Sequence, residues 1–174
     1  SCIVLNVTIR SMKLHGGGFS TGGGARPNES EISLENIDAV RKGSATNLRR
    51  HIRNLTSTKI PIVVSINKFS TDTIGEIDAL TNEAKKAGAD AVVLFEGHSR
   101  GGIGAMDLAD AVVAACNNHN QASSPYVPIV DPTLDVRQKI LKIATNVYGA
   151  QTVDFSPAAI RTLKTIEKWN KNTL

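Results

Sequence analysis

The chain is poor in aromatic side chains, poor in cysteine, and has no long apolar run. Four phenylalanines, two tyrosines and one tryptophan make up 4% of its 174 residues. No basic stripe is interleaved with rings in the way a nucleic-acid surface requires, so nucleic acid is not an expected partner. The net charge of +4 is mild, and the densest basic group, Arg49-Arg50-His51-Ile52-Arg53, falls late in an expected helix, where cations favour the macrodipole. Two cysteines, Cys2 and Cys116, stand far apart and outside any CxxC or metal-ligand spacing. Both lie in apolar runs, which reads as buried free thiols in a reducing compartment rather than as a disulfide. No stretch reaches the roughly 20 apolar residues that span a bilayer, so no membrane partner is expected. The N-terminus lacks the basic, apolar and small-residue order of a signal peptide. Also missing are a Gly-Lys-Ser/Thr phosphate loop, a GxGxxG fingerprint, a nucleophile elbow, a zinc spacing and a paired-carboxylate signature. No metal site is expected, and no catalytic residue is assigned.

What is there is ordinary globular composition, 41% hydrophobic and 21% charged, in a chain long enough for one sizeable core. Its centre is Ile60-Pro61-Ile62-Val63-Val64-Ser65-Ile66, an unbroken β-branched run with the pattern of a strand buried on both faces. The run turns polar at Asn67-Lys68-Phe69-Ser70-Thr71-Asp72, and Thr73-Ile74-Gly75-Glu76 fits a capping box opening a helix over 74–87 that ends at Gly88. Upstream, residues 2–9 read as a strand, 10–32 as a long glycine-rich loop, and Ser33-Leu34-Glu35-Asn36 as a capped start of a helix. Its apolar stripe of Leu34, Ile37, Val40, Leu48, Ile52 and Leu55 weakens at Gly43 and Ser44. Downstream, Ala91–Phe95 reads as a buried strand, Glu96–Gly102 as its loop, and about 103–116 as a helix. Three strand-loop-helix units in succession predict an α/β fold, a mostly parallel sheet in three layers with flanking helices.

After residue 116 the grammar changes. Residues 117–125 read as a polar connector, followed by two helices that start near Asp131-Pro132-Thr133 and Ser156-Pro157. Tyr148-Gly149-Ala150 ends the first of them, and Val153-Asp154-Phe155 is a candidate short strand. The expected division is an α/β domain over 1–116 and a helical C-terminal appendage over 117–174. The chain starts inside a strand pattern and ends without a stop signal, which reads as a piece of a longer protein.

The strand C-termini are where open α/β sheets bind ligands. Phe69, exposed among polar neighbours, either plugs the top of the core or stacks on a planar ligand. Asp72 and Glu96 are acid or base candidates, and Asp72 equally suits a hydrogen bond within its own turn. His98 is a metal or base candidate, although a lone histidine is more often a plain polar rim residue. Gly101-Gly102-Ile103-Gly104, beside Arg100, is either an anion-binding nest or a tight strand-to-helix turn. Arg10, Lys13 and His15 sit beside the first glycine string, which reads as a flexible loop before it reads as a phosphate site. From these residues alone the reading stops at an α/β ligand-binding module.

The segment Val7-Thr8-Ile9-Arg10-Ser11-Met12-Lys13-Leu14-His15-Gly16-Gly17 resembles a signature of formate–tetrahydrofolate ligase, departing from it at Asn6, Val7, Ser11 and Met12. Glu35-Asn36, Asn47-Leu48, Pro61–Val64, Asn67–Thr73, Lys86–Ala89, Gly101–Ala105, Lys139-Ile140, Ile143-Ala144 and Val147–Ala150 keep that family's order and spacing over nearly the whole chain. The resemblance implies a fragment of a P-loop-NTPase-like ligase that uses ATP and Mg²⁺ to join formate to tetrahydrofolate. Formyl phosphate forms first, and folate N10 then attacks it to give 10-formyltetrahydrofolate. It implies that this chain contributes the folate side: Phe69 matches one pterin-stacking partner, Leu94 an apolar pocket residue, and His98 the position of the second partner, usually Trp. Imidazole stacks with less area than indole. The family's phosphate loop lies upstream of the matching segment, so the isolated chain is expected to be inactive and to hold no cofactor tightly. The alternative is a non-catalytic folate-binding or assembly module derived from the ligase. Implied partners are folate and the rest of a longer chain, with room for a homo-oligomer, in the cytoplasm or the mitochondrial matrix.

Overall fold

The apolar run after Pro61 forms the central strand, because both of its faces are covered. In the computed structural model, which describes residues 1–19, 28–122 and 125–171, β1 (Ile3–Val7), β2 (Ile62–Asn67) and β3 (Ala91–Phe95) make a parallel sheet in that order. The register pairs Val7 with Ile66 and Ile66 with Leu94, so the three strands end together at one edge. Ile62, Val63 and Val64 are fully buried, and each such side chain contributes roughly 1.5–3 kcal/mol. β1 alternates instead: Val7 is buried while Val4 and Asn6 are exposed. The α/β architecture with a parallel sheet and flanking helices is as expected. The chain divides into two compact units, Ser1–Tyr126 and Val127–Leu174.

The expected loop from Arg10 is overturned at its start. Residues Ile9–His15 form α1, capped by Thr8, whose Oγ1 accepts the Ser11 N–H at 3.1 Å. Ile9 and Met12 enter the core, and Lys13 is buried beside them. Glu29–Ser33 make a short helix, α2, and the second glycine string, Gly22-Gly23-Gly24, lies outside the described residues.

Ser33 does not cap the next helix. Asn36 does, accepting the Ala39 N–H at 2.9 Å, and α3 runs over Ile37–Gly43. A wide π turn, Ser44–Leu48, joins it to α4 (Arg49–Thr56). Val40, Ser44, Leu48 and Ile52 are buried at intervals of four, wider than the α period, and the π turn keeps that stripe on one face. Gly43 has a packing reason: a Cβ there would stand 2.0 Å from the Met12 carbonyl oxygen, so α1 and α3 meet backbone to backbone.

α5 (Ile74–Ala87) has the expected capping box of Thr73 and Glu76, and Gly88 ends it at φ 103°. After β3 come α6 (Gly97–Arg100), a 3₁₀ turn (Gly101–Ala105) and α7 (Met106–Ala122). α7 therefore runs past Cys116 through residues expected as connector, since Asn and His are modest helix formers rather than breakers and Gln is a good one. The Cys2 and Cys116 thiols are free and half-buried rather than buried, and hydrogen-bonded to each other.

In the second unit, α8 (Val136–Lys142) starts at an Asp135–Gln138 capping box, not at Asp131, which instead accepts the Thr133 N–H at 2.8 Å in its own turn. A π turn (Ile143–Val147) follows, and Gly149 at φ 72° closes it. α9 (Pro157–Lys171) opens with Ser156 Oγ accepting the Ala159 N–H. Val153–Phe155 is not a strand; the Arg137 guanidinium lies 4.9 Å from the Phe155 ring centroid. No helix among the described residues is long and apolar enough to cross a membrane.

Candidate functional site

The site grows from the carboxyl ends of β2 and β3. The sheet ladder continues one step past the strands, with Lys68 N–H donating to the Phe95 carbonyl at 3.1 Å. The chain then folds back: Asp72 N–H donates to Phe69 O at 3.1 Å, and Asp72 Oδ2 accepts Phe69 N–H at 2.8 Å. That clasp leaves the Phe69 side chain pointing outward and 38% exposed, not sealed as a plug in the core. Of the two readings of Asp72, the hydrogen bond within its turn is what the geometry has. Burial raises its carboxyl above the usual range, against the Phe69 N–H bond that lowers it.

Across the gap stands the β3 side. Glu96 follows the strand, and α6 carries His98 and Ser99. A Cβ on Gly97 would meet the Phe95 ring at 2.3 Å, and one on Gly104 would meet the Glu96 carbonyl oxygen at 2.5 Å. Both positions thus need glycine for the chain to turn this sharply. Between the two sides lies a cavity of about 560 Å³, lined by Asn67, Lys68, Phe69, Ser70, Glu96, His98 and Ser99. The sides are tied by Lys68 Nζ to Glu96 Oε1 at 2.9 Å, and Arg100 holds the other Glu96 oxygen at 3.0 Å. Hydrogen bonds from Lys68 and Arg100 keep the Glu96 carboxyl below the ordinary glutamate range. The pocket thus combines an apolar ring, hydroxyl and amide groups and an ion cluster of two cations on one carboxylate, which suits a planar polar ligand.

The sequence candidates sort as follows. Phe69 and His98 face the same cavity. Leu94, paired with Ile66, packs against the core below and is not part of that wall. Arg100 is engaged by Glu96, and Gly101 and Gly102 lie on the exposed 3₁₀ turn beyond it, Gly101 at φ 60°. Lys13 is not free to meet an anion: it is buried, donates to the Ile32 and Leu34 carbonyls at 3.0 and 2.8 Å, and pairs with Glu76. Sequence reasoning passed over the Arg10 guanidinium as a neighbour of Phe69, where it lies 5.1 Å from the ring centroid. It also gave no role to Lys68 as a tie between the walls, although both belong to quoted motifs. Among the described residues no cluster of three or more His, Cys, Asp or Glu is placed to hold a metal ion.

Comparison with known proteins gives a consistent result. The family model described as formate–tetrahydrofolate ligase matches residues 1–174. The chain is 39% identical over 167 residues to a formate–tetrahydrofolate ligase of Desulforamulus reducens, covering 96% of this chain and 28% of that protein. It is 40% identical over 172 residues to the cytoplasmic C-1-tetrahydrofolate synthase of Schizosaccharomyces pombe, covering 99% of this chain and 18% of that protein. With the Drosophila melanogaster protein of the same name the identity is 41% over 167 residues, covering 94% of this chain and 16% of that protein. The chain thus spans less than a third of the length of these curated relatives. A match over every residue, with identities near 40% in both bacterial and eukaryotic relatives, gives the conclusion that this chain belongs to the formate–tetrahydrofolate ligase family.

Proposed function

We propose that residues 1–116 supply the folate side of a formate–tetrahydrofolate ligase site, in which a pterin ring rests on Phe69 and faces His98. The observation that carries this reading is an outward-facing phenyl ring at a strand terminus, across a cavity of about 560 Å³ from an imidazole. Stacking on Phe69 orients the ring, and Asn67, Ser70 and Ser99 offer hydrogen-bonding groups to its polar edge. Holding the folate in one pose is the contribution of this chain to attack by N10 on an activated formyl group, since fixed orientation removes much of the entropic barrier. The residues present do not fit the ATP and Mg²⁺ side: the sequence has no Gly-Lys-Ser/Thr run, and the described residues offer no clustered metal ligands. On this reading, phosphoryl transfer that makes formyl phosphate belongs to other parts of the full-length polypeptide. The names of the yeast and fly relatives favour a cytoplasmic setting.

Titration of tetrahydrofolate against the wild type and Phe69→Ala tests the proposal. The variant should lose roughly 1–3 kcal/mol, by analogy with aromatic stacking on nucleic-acid bases. Equal weak binding by both proteins would remove the pterin site. A second reading, a non-catalytic folate-binding or assembly module, is favoured by His98, whose ring offers less stacking area than an indole. Folate binding by the full-length reading frame without any ligase turnover would select it.

A further inference from the structure

Phe69 is held from two sides that the cavity does not include. Asp72 fixes its backbone N–H at 2.8 Å, and Arg10 places its guanidinium 5.1 Å from the ring centroid. The second contact is built by the sheet register. Val7 pairs with Ile66, and Arg10 and Phe69 each lie three residues beyond their member of that pair. Thr8 then caps α1 and Ile9 is fully buried, which anchors the first turn of α1 and aims Arg10 across the end of β2. Arg10 itself is exposed, and its guanidinium makes no ion pair among the described residues. It is not part of the cavity wall, whereas Phe69 is.

We propose that Arg10 is a positioning residue for the planar ligand, acting through the Phe69 ring, which its guanidinium approaches and which itself lines the cavity. The inference rests on the pterin reading of this site. Two physical effects follow from the arrangement. The cation restrains the phenyl torsion, so less side-chain freedom is lost when a ligand stacks. The guanidinium also draws ring electron density toward itself, which reduces the ring's repulsion of an electron-rich heterocycle such as an aminopyrimidinone. Both effects depend on the charge and the planarity of the arginine side chain, and neither requires it to touch the ligand.

The test is a double-mutant cycle in the full-length reading frame that carries residues 1–174, read by calorimetric titration with tetrahydrofolate. Arg10→Gln should weaken binding about two- to fivefold, the range of an exposed cation–ring contact. Arg10→Lys keeps the charge and should retain part of the affinity. In the Phe69→Ala background, Arg10→Gln should add no further loss, because the ring through which it acts is gone. Thermal melting of each variant supplies a separate readout, and because Arg10 is exposed its melting temperature should match the wild type. Wild-type affinity in Arg10→Gln overturns the inference, as does an equal loss with and without Phe69, or a lysine variant no better than glutamine. If Phe69→Ala alone binds as the wild type does, the pterin reading itself fails, and that outcome is distinct from a failure confined to Arg10.

Discussion

Lys13 Nζ lies 2.6 Å from Glu76 Oε1, with the two side chains 1% and 0% exposed. Four segments meet at this pair. Lys13 comes from α1 and donates to the carbonyls of Ile32 and Leu34, while Glu76 caps α5 and accepts the N–H groups of Asn36 at 2.8 Å and Thr73 at 3.2 Å. Because α5 begins where the Phe69 loop ends, the pair also fixes the base of the candidate site.

Removing one member strands the other charge in the interior. Lys13→Met is expected to destabilise the fold by about 3–5 kcal/mol in denaturant unfolding. The double variant Lys13→Met/Glu76→Gln should be less destabilised than the sum of the two singles, since it leaves no lone ion. Additive losses would count against a coupled pair.

The same carboxylate sets a pH dependence. Burial raises the Glu76 carboxyl, but hydrogen bonds from Lys13, Asn36 and Thr73 outweigh it and leave it below the ordinary glutamate range. A depressed folded-state pKa means that the stabilisation is complete above the ordinary glutamate pKa and is lost as the pH falls through the folded value. Unfolding free energy should therefore drop on acidification in that window, and Glu76→Gln should flatten the drop.

Gly43→Ala tests the contact of α1 with α3. In an exposed helix interior this change stabilises by about 1 kcal/mol. Here the added methyl would meet the Met12 backbone, so the expected sign is reversed, with a loss of about 1–3 kcal/mol and a lower melting temperature. A stabilised variant would mean that the two helices separate easily.

Cys2 offers a chemical readout. Burial, followed by the hydrogen bond with Cys116, pushes its thiol above the ordinary value, and only the thiolate alkylates. Iodoacetamide should label Cys2 more slowly than a free thiol at neutral pH, and Cys116→Ala should speed that labelling. Equal rates in the two proteins would rule out the thiol pair.

The parts of the fold legible in the sequence are those whose signals are local. The β-branched run of β2, the Thr73–Glu76 box and Gly88 specify a strand, a loop and a helix within some 30 residues, and α5 has the expected bounds. α1 was hidden because its inner face includes Lys13, a residue that reads as surface, and its compensating Glu76 is distant in sequence. The glycines that suggested a loop start only at its C-terminus. Asn36 outcompetes Ser33 as a cap because α2 already occupies Ser33. At the candidate site, the placement of Phe69 and His98 just beyond the ends of β2 and β3 was legible from the motifs. The approach of Arg10 to Phe69 was not, since it depends on how β1 registers against β2.

The Lys68–Glu96 tie joins the two walls of the cavity through side chains that are 32% and 25% exposed. An ionic latch in that position is reached by dissolved ions, which weaken it at concentrations that leave the apolar interior intact. On the proposed reading, raising the ionic strength is therefore expected to loosen this tie before it affects the fold, and a salt series of folate titrations would show it.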